Sequence, residues 1–114
     1  MLNKITKKYA MEQLKNNKVQ FVGSYMGLEA KNINCYLVNN YDSQVMPYLK
    51  NTEIRKCIKQ SCNQIIFERP NGEKTYLEQI TNSKWYETII KDKQFIIIEG
   101  KDGFTTCYHI IKGE

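Results

Sequence analysis

Apolar residues recur along this chain with two different periods. Near the start they fall three and four apart. Ala10, Met11 and Leu14 share one flank, and Leu2, Ile5 and Tyr9 would extend it if the helix began earlier. Thr6 can accept from amides of the following turn, Ile5 before it can act as a hydrophobic staple, and Asn16-Asn17 tolerate the left-handed geometry that ends helices. This spacing predicts a helix over about residues 7–16. From Val19 to Met26 the period drops to two, with Val19, Phe21 and Tyr25 alternating against Gln20 and Ser24. Ile33, Cys35 and Leu37 alternate in the same way, so Ile33–Val38 reads as a partner strand beyond the loop 27–32.

Pro47 suits the first turn of a short helix running to about Lys50. Ile54, Cys57, Ile58 and Ser61 then fall at i, i+3, i+4 and i+7, with Arg55, Lys56 and Lys59 elsewhere on the surface. That is a basic amphipathic helix capped by Thr52, although Ile54, Lys56 and Ile58 also alternate as an edge strand would. Two alternating runs at 64–69 and 73–78 flank Pro70-Asn71-Gly72, and Asn-Gly accepts positive φ at both turn positions, so a hairpin is expected. Ser83 can cap a helix through Trp85, Tyr86, Ile89 and Ile90. Phe95–Glu99 is apolar on both faces, as a central strand is, and Gly100–Gly103 turns it into Phe104–Ile111. The order is α-β-β-α(α)-β-β-α-β-β: an α+β fold with an antiparallel sheet of about six strands and two or three short helices.

Composition narrows this picture. At 114 residues, with eight Tyr, four Phe and one Trp, the chain is long enough for a real core, and a single domain over residues 1–114 is expected. No apolar run approaches the roughly 18–20 residues that span a bilayer, and the first eight residues lack the apolar core of a secretory signal. A cytoplasmic protein with no membrane partner is the expectation.

Charge adds a direction. The formal net charge is +5, yet residues 1–18 carry Lys4, Lys7, Lys8, Lys15 and Lys18 against Glu12, and residues 50–59 carry Lys50, Arg55, Lys56 and Lys59 against Glu53. A basic excess confined to two stretches points to an anionic partner. Arg55 and Arg69 are the two arginines, and lysine meets phosphate as a point charge, so binding through the backbone is favoured over base reading. The short helix, the turn at Asn51-Thr52, the basic helix and the hairpin follow the order of a winged-helix-like element at 44–78. There Thr52, Arg55, Lys56 and Lys59 would face DNA, and Arg69, Asn71 and Lys74 would lie on the wing, where Glu68 and Glu73 offset the basic residues. Lys4, Lys7, Lys8 and Lys15 complete the candidate phosphate contacts.

Chemistry beyond charge is sparse. Cys57, Cys62, Cys107 and His109 could form a zinc site only with spacings that fit structural zinc poorly, and reduced core thiols explain the four cysteines more simply. Cys107 and His109 share a strand face, but nothing marks a nucleophile with its base and oxyanion donor. No glycine-rich phosphate loop or paired carboxylates occur, so neither catalysis nor a cofactor is expected. Trp85-Tyr86, beside a turn, could serve as an exposed protein-binding anchor.

Three stretches carry a family likeness: Lys18-Val19-Gln20-Phe21-Val22-Gly23-Ser24 after the opening helix, Cys62-Asn63-Gln64-Ile65-Ile66-Phe67, and the closing Tyr108-His109-Ile110. In these the chain resembles small uncharacterised proteins carried by plasmids and phages of low-GC Gram-positive bacteria. The resemblance implies a mobile-element setting and transfers no functional residue. The leading expectation is a non-enzymatic DNA-binding accessory or regulatory factor that engages nucleic acid or a nucleoprotein complex. The alternative is an anti-CRISPR-type inhibitor that grips a host defence nuclease through protein contacts. Homodimerisation is left open.

Overall fold

A computed structural model describes residues 1–41, 53–78 and 81–112. Ten elements follow in order: β1 (Leu2–Ile5), α1 (Lys7–Asn16), β2 (Lys18–Met26), α2 (Ala30–Asn40), β3 (Ile54–Gln60), β4 (Gln64–Glu68), β5 (Lys74–Glu78), β6 (Lys84–Ile90), β7 (Lys93–Glu99) and β8 (Phe104–Ile111). The strands form one antiparallel sheet in the order β1-β6-β7-β8-β2-β3-β4-β5. The fold is therefore α+β around an antiparallel sheet, as expected, with eight described strands and two described helices in place of about six and two or three.

The opening helix begins where Thr6 dictates. Thr6 is extended, and its Oγ1 accepts from the Tyr9 amide at 3.1 Å, which stops the helix from reaching back to Leu2. Leu2–Ile5 instead pairs with β6. Ala10 and Leu14 are fully buried against Val19, Ile65, Phe67, Trp85, Ile96 and Ile110. Because α1 contacts both β3 and β6, strands four places apart in the order, the sheet curls around this helix.

Three expectations are corrected. Ile33–Val38 is helical, because Ala30, Ile33, Leu37 and Tyr41 form a buried stripe at helical spacing that the local alternation concealed. Its first turn is fixed by Glu29 N–H donating to Asn32 Oδ1 (2.9 Å) and Ala30 N–H donating to Glu99 Oε2 (2.7 Å). Trp85–Ile90 is strand β6: Trp85 faces α1 while Thr88 and Ile90 are buried, and cross-strand pairing with β7 overrides the helical reading. Residues 54–60 are strand β3, with a bulge between Cys57 and Lys59, so the second helix of the winged-helix scheme is absent. Ile54 and Ile58 stay exposed and only Cys57 is buried, which shows why the amphipathic stripe misled. The helix expected from Pro47, and Thr52, lie outside the described residues.

The expected hairpin at 64–78 forms, but with a different turn. Gly72 N–H donates to Arg69 O (2.9 Å) and Arg69 N–H to Glu73 O (2.8 Å), while Glu73 N–H donates to Asn71 Oδ1 (2.9 Å). Only Gly72 takes positive φ, at 86°. Pro70, with its fixed negative φ, occupies the first central position of a type I turn and shifts the loop to three residues. Gly100–Phe104 repeats the design, with Asp102 Oδ1 accepting from Phe104 N–H and Gly103 at φ 92°.

Candidate functional site

Strand pairing sets residues remote in sequence side by side. Directly opposed residues on neighbouring strands share one face of a sheet. Ile111 lies opposite Lys18, Lys18 opposite Lys56, Lys56 opposite Glu68, and Glu68 opposite Lys74. On the far side of β8, Gln94 lies opposite Ile110, which puts Lys93 at the next position beside Ile111. The row reads Lys93, Ile111, Lys18, Lys56, Glu68, Lys74 across β7, β8, β2, β3, β4 and β5. At about 4.8 Å per strand it is roughly 24 Å long. All four lysines in it are exposed.

Two depressions open on this row. One, of ≈ 270 Å³, is lined by Lys15, Asn16, Asn17, Lys18, Lys56 and Ile111. The other, of ≈ 220 Å³, is lined by Asp92, Lys93, His109, Ile111 and Lys112 among others. Ile111 belongs to both, so the last turn of α1, the start of β2 and the end of β8 converge there. Among the described residues the ion pairs are Lys31–Glu29, Arg69–Glu53 and Arg69–Glu73, and none uses a lysine of the row. Like charges held directly opposite one another destabilise a sheet by a few tenths to about 1 kcal/mol. Lys18 and Lys56 sustain that repulsion without a carboxylate between them. The negative end of the α1 dipole offsets part of it, and Asn17 Nδ2–H donates to Gln13 O at 2.9 Å to occupy one terminal carbonyl.

His109 lies one step in from the row. It is 8% exposed, its Nδ1 is 2.8 Å from Gln20 Oε1, and its ring stands 5.2 Å from that of Phe95. Burial, with Lys93 adding in the same direction, lowers its pKa from 6.5 to about 4, so the imidazole is neutral at pH 7.

The other sequence candidates scatter. Arg55 turns to the α1 face, with its guanidinium 5.0 Å from the centre of the Phe21 ring. Lys7 Nζ–H donates to Cys62 O at 2.7 Å. Lys4, on β1, is opposite Tyr86, and Lys8 and Lys59 are exposed. Arg69 is held by Glu53 (2.6 Å) and Glu73 (3.2 Å), and its Glu53 partner is correspondingly pulled below the usual carboxylate range. Lys74 ends the row beyond Glu68. Trp85 is 3% exposed and Tyr86 packs against the core under α2, so Trp85 cannot be the surface anchor expected of it. Lys18, Lys93 and Lys112 were not selected from the sequence as contacts. Lys18 was visible in the first basic stretch, whereas Lys93 and Lys112 reach the site only through the β7–β8–β2 register.

The thiols do not assemble. Cys57 is buried with the α1 cluster and Cys107 with the α2 cluster, on opposite faces of the sheet, so they cannot share a zinc ion. Burial raises the Cys107 thiol far above its ordinary value, the reverse of nucleophile activation. Cys35 and Cys62 are exposed.

A cavity of ≈ 300 Å³ lies toward the far end of the sheet, lined by Ser24, Tyr76, Ser83, Asp102, Phe104 and Thr106 among others, with no cation in its lining. Its polar groups are largely matched: Ser24 and Thr106 hydroxyls meet at 3.1 Å, and Asp102 caps Phe104 N–H. Met26, Leu28 and Phe104 are exposed around this end. No described helix is long and apolar enough to cross a membrane. Comparison with protein-family models, with curated proteins and with solved structures finds no match.

Proposed function

We propose that this is a non-enzymatic binding protein that engages nucleic acid through its phosphates, using Lys15, Lys18, Lys56, Lys93 and Lys112. The observation that carries this reading is the direct opposition of Lys18 and Lys56 in a row of lysines that pair with no carboxylate among the described residues. A fold gains nothing from that repulsion, and a polyanion laid over it converts the cost into attraction. The set differs from the sequence expectation. Lys15 and Lys56 stay, Lys18, Lys93 and Lys112 join, and Arg55 and Arg69 leave because each already has a partner within the fold. Fluorescence anisotropy with labelled DNA at low and moderate salt tests it: binding that weakens steeply with salt is expected, and no binding at low salt refutes it.

The inhibitor reading is favoured by a separate feature, the exposed Met26, Leu28 and Phe104 around the cation-free cavity. There a protein partner, such as a defence nuclease, would meet an apolar surface. A complex that survives nuclease treatment and is lost with Phe104→Asp supports it. One that dissolves on nuclease treatment does not.

A further inference from the structure

We infer that the ligand of the lysine row is the backbone of a nucleic-acid duplex, laid across the strands and held by phosphate contacts alone. This rests on the nucleic-acid reading above and adds the form of the ligand. Single strands are gripped by aromatic side chains on which successive bases stack, each worth about 1–3 kcal/mol. Among the described residues, neither depression on the row has an aromatic carbocycle in its lining: lysine, asparagine, aspartate, glutamine, histidine and isoleucine supply it. The histidine is no platform, because its ring is buried against Phe95. Of the exposed aromatics among the described residues, Phe104 lines the far cavity, Tyr36 is on α2, and the Tyr9 hydroxyl donates to Glu87 Oε2 at 2.7 Å. Tyr76 shares the face of Lys74 on β5, beyond the carboxylate of Glu68 and away from both depressions. A surface that offers only point charges gains nothing from splayed bases and responds to charge density. Duplex DNA supplies that, with about one charge per 1.7 Å of axis.

The row also fits a rigid rod better than a flexible chain. Its lysines are anchored on four of six hydrogen-bonded strands over roughly 24 Å, so the spacing of their backbone positions does not adapt to the ligand and only the side-chain stems do. The interruption at Glu68, between Lys56 and Lys74, marks where the favourable track ends. Among the described residues five lysines border the depressions, and this number sets the phosphates neutralised and hence the salt dependence.

The test measures affinity for a 20-base-pair duplex and for the matching single strand across a salt series. The duplex should bind at least ~10-fold more tightly, with a slope of log K against log salt no steeper than about −4.5, or 0.9 per phosphate neutralised. Lys56→Ala should reduce that slope by about 0.9 and weaken all duplex sequences alike. Glu68→Gln should strengthen duplex binding, a gain that misfolding cannot mimic. A single strand that binds as tightly as the duplex, or a slope unmoved by Lys56→Ala, overturns the inference and leaves the nucleic-acid reading standing. Absence of binding to either form overturns both.

Discussion

The two ends of the sheet treat polar groups in opposite ways. At the end where β7 and β8 turn, polar atoms find partners inside the fold: Ser24 with Thr106, Thr105 Oγ1–H with Leu28 O, and Asp102 with the Phe104 amide. Where β2 begins and β8 ends, the lysines face each other and the solvent. Both ends are equally constrained by strand pairing, so register alone does not explain the difference. The first end matches its polar groups within the fold, whereas the second leaves its described lysines open to solvent, where, under the proposed function, their charge meets a phosphate ligand. The same contrast separates the two arginines from the row, since a cation already paired with carboxylates or an aromatic ring has little left to offer a ligand.

The largest expected effect breaks this comparison if it fails. Lys18→Glu with Lys56→Glu should weaken duplex binding by at least ~100-fold, since two attractions become two repulsions at adjacent positions. The matching reversal at the other end, Lys84→Glu with Lys101→Glu, should change affinity by less than ~3-fold, because exposed charges beyond a Debye length of about 10 Å are largely screened. Anisotropy titrations of both variants, with circular dichroism to confirm folding, decide it. Equal losses would mean that net charge, and not the row, governs binding.

Acid should distinguish the ends next. His109 has a folded pKa of about 4 against 6.5 for the free side chain, through burial and then Lys93. The unfolded chain therefore takes up the proton first, so the contribution of His109 to stability is complete above pH 6.5 and is lost as pH falls toward about 4. The thermal midpoint should drop more between pH 7 and pH 4.5 in the native chain than in His109→Gln. Bound duplex, by screening Lys93, should raise the His109 pKa seen by NMR. Parallel drops in the two proteins would contradict this account.

A smaller effect probes the edge of the row. Glu68→Gln removes the one carboxylate from the row and should tighten duplex binding by about 3-fold at low salt, the scale of a single exposed charge interaction. No change would place the ligand short of β4.

The sequence showed those parts of this design whose signals were local. Thr6 and the stripe Ala10-Leu14 marked α1, and Pro70-Asn71-Gly72 between alternating runs marked β4 and β5, although Pro70 changed the turn type. Short segments carrying both periods were the ones misread. Ile33 and Leu37 fit a strand or a helix, and only Ala30 and Tyr41, outside the window, decide for the helix. Trp85, Tyr86, Ile89 and Ile90 fit both as well, and pairing with the buried β7 decides for the strand. The site was half legible for the same reason. Two basic stretches were plain, but their meeting at Lys18 and Lys56, and the arrival of Lys93, depend on a register that joins β7, β8, β2 and β3.

The smallest expected effect is the most direct measure of what the row costs the fold. Lys56→Gln removes the charge opposite Lys18 while keeping most of the aliphatic stem, and Gln is tolerated on an exposed strand face. If the repulsion is real, the variant should be more stable by a few tenths up to about 1 kcal/mol, read as a raised urea midpoint with unchanged slope. It should bind duplex more weakly at the same time. Lys101→Gln at the opposite end, where the lysine has no like charge opposed to it, should shift neither quantity. Opposed changes in stability and affinity at one residue are the signature of a charge held for a ligand. A Lys56→Gln protein that is destabilised would mean that Glu68, its other cross-strand neighbour, outweighs Lys18, and that the row is stabilised from within.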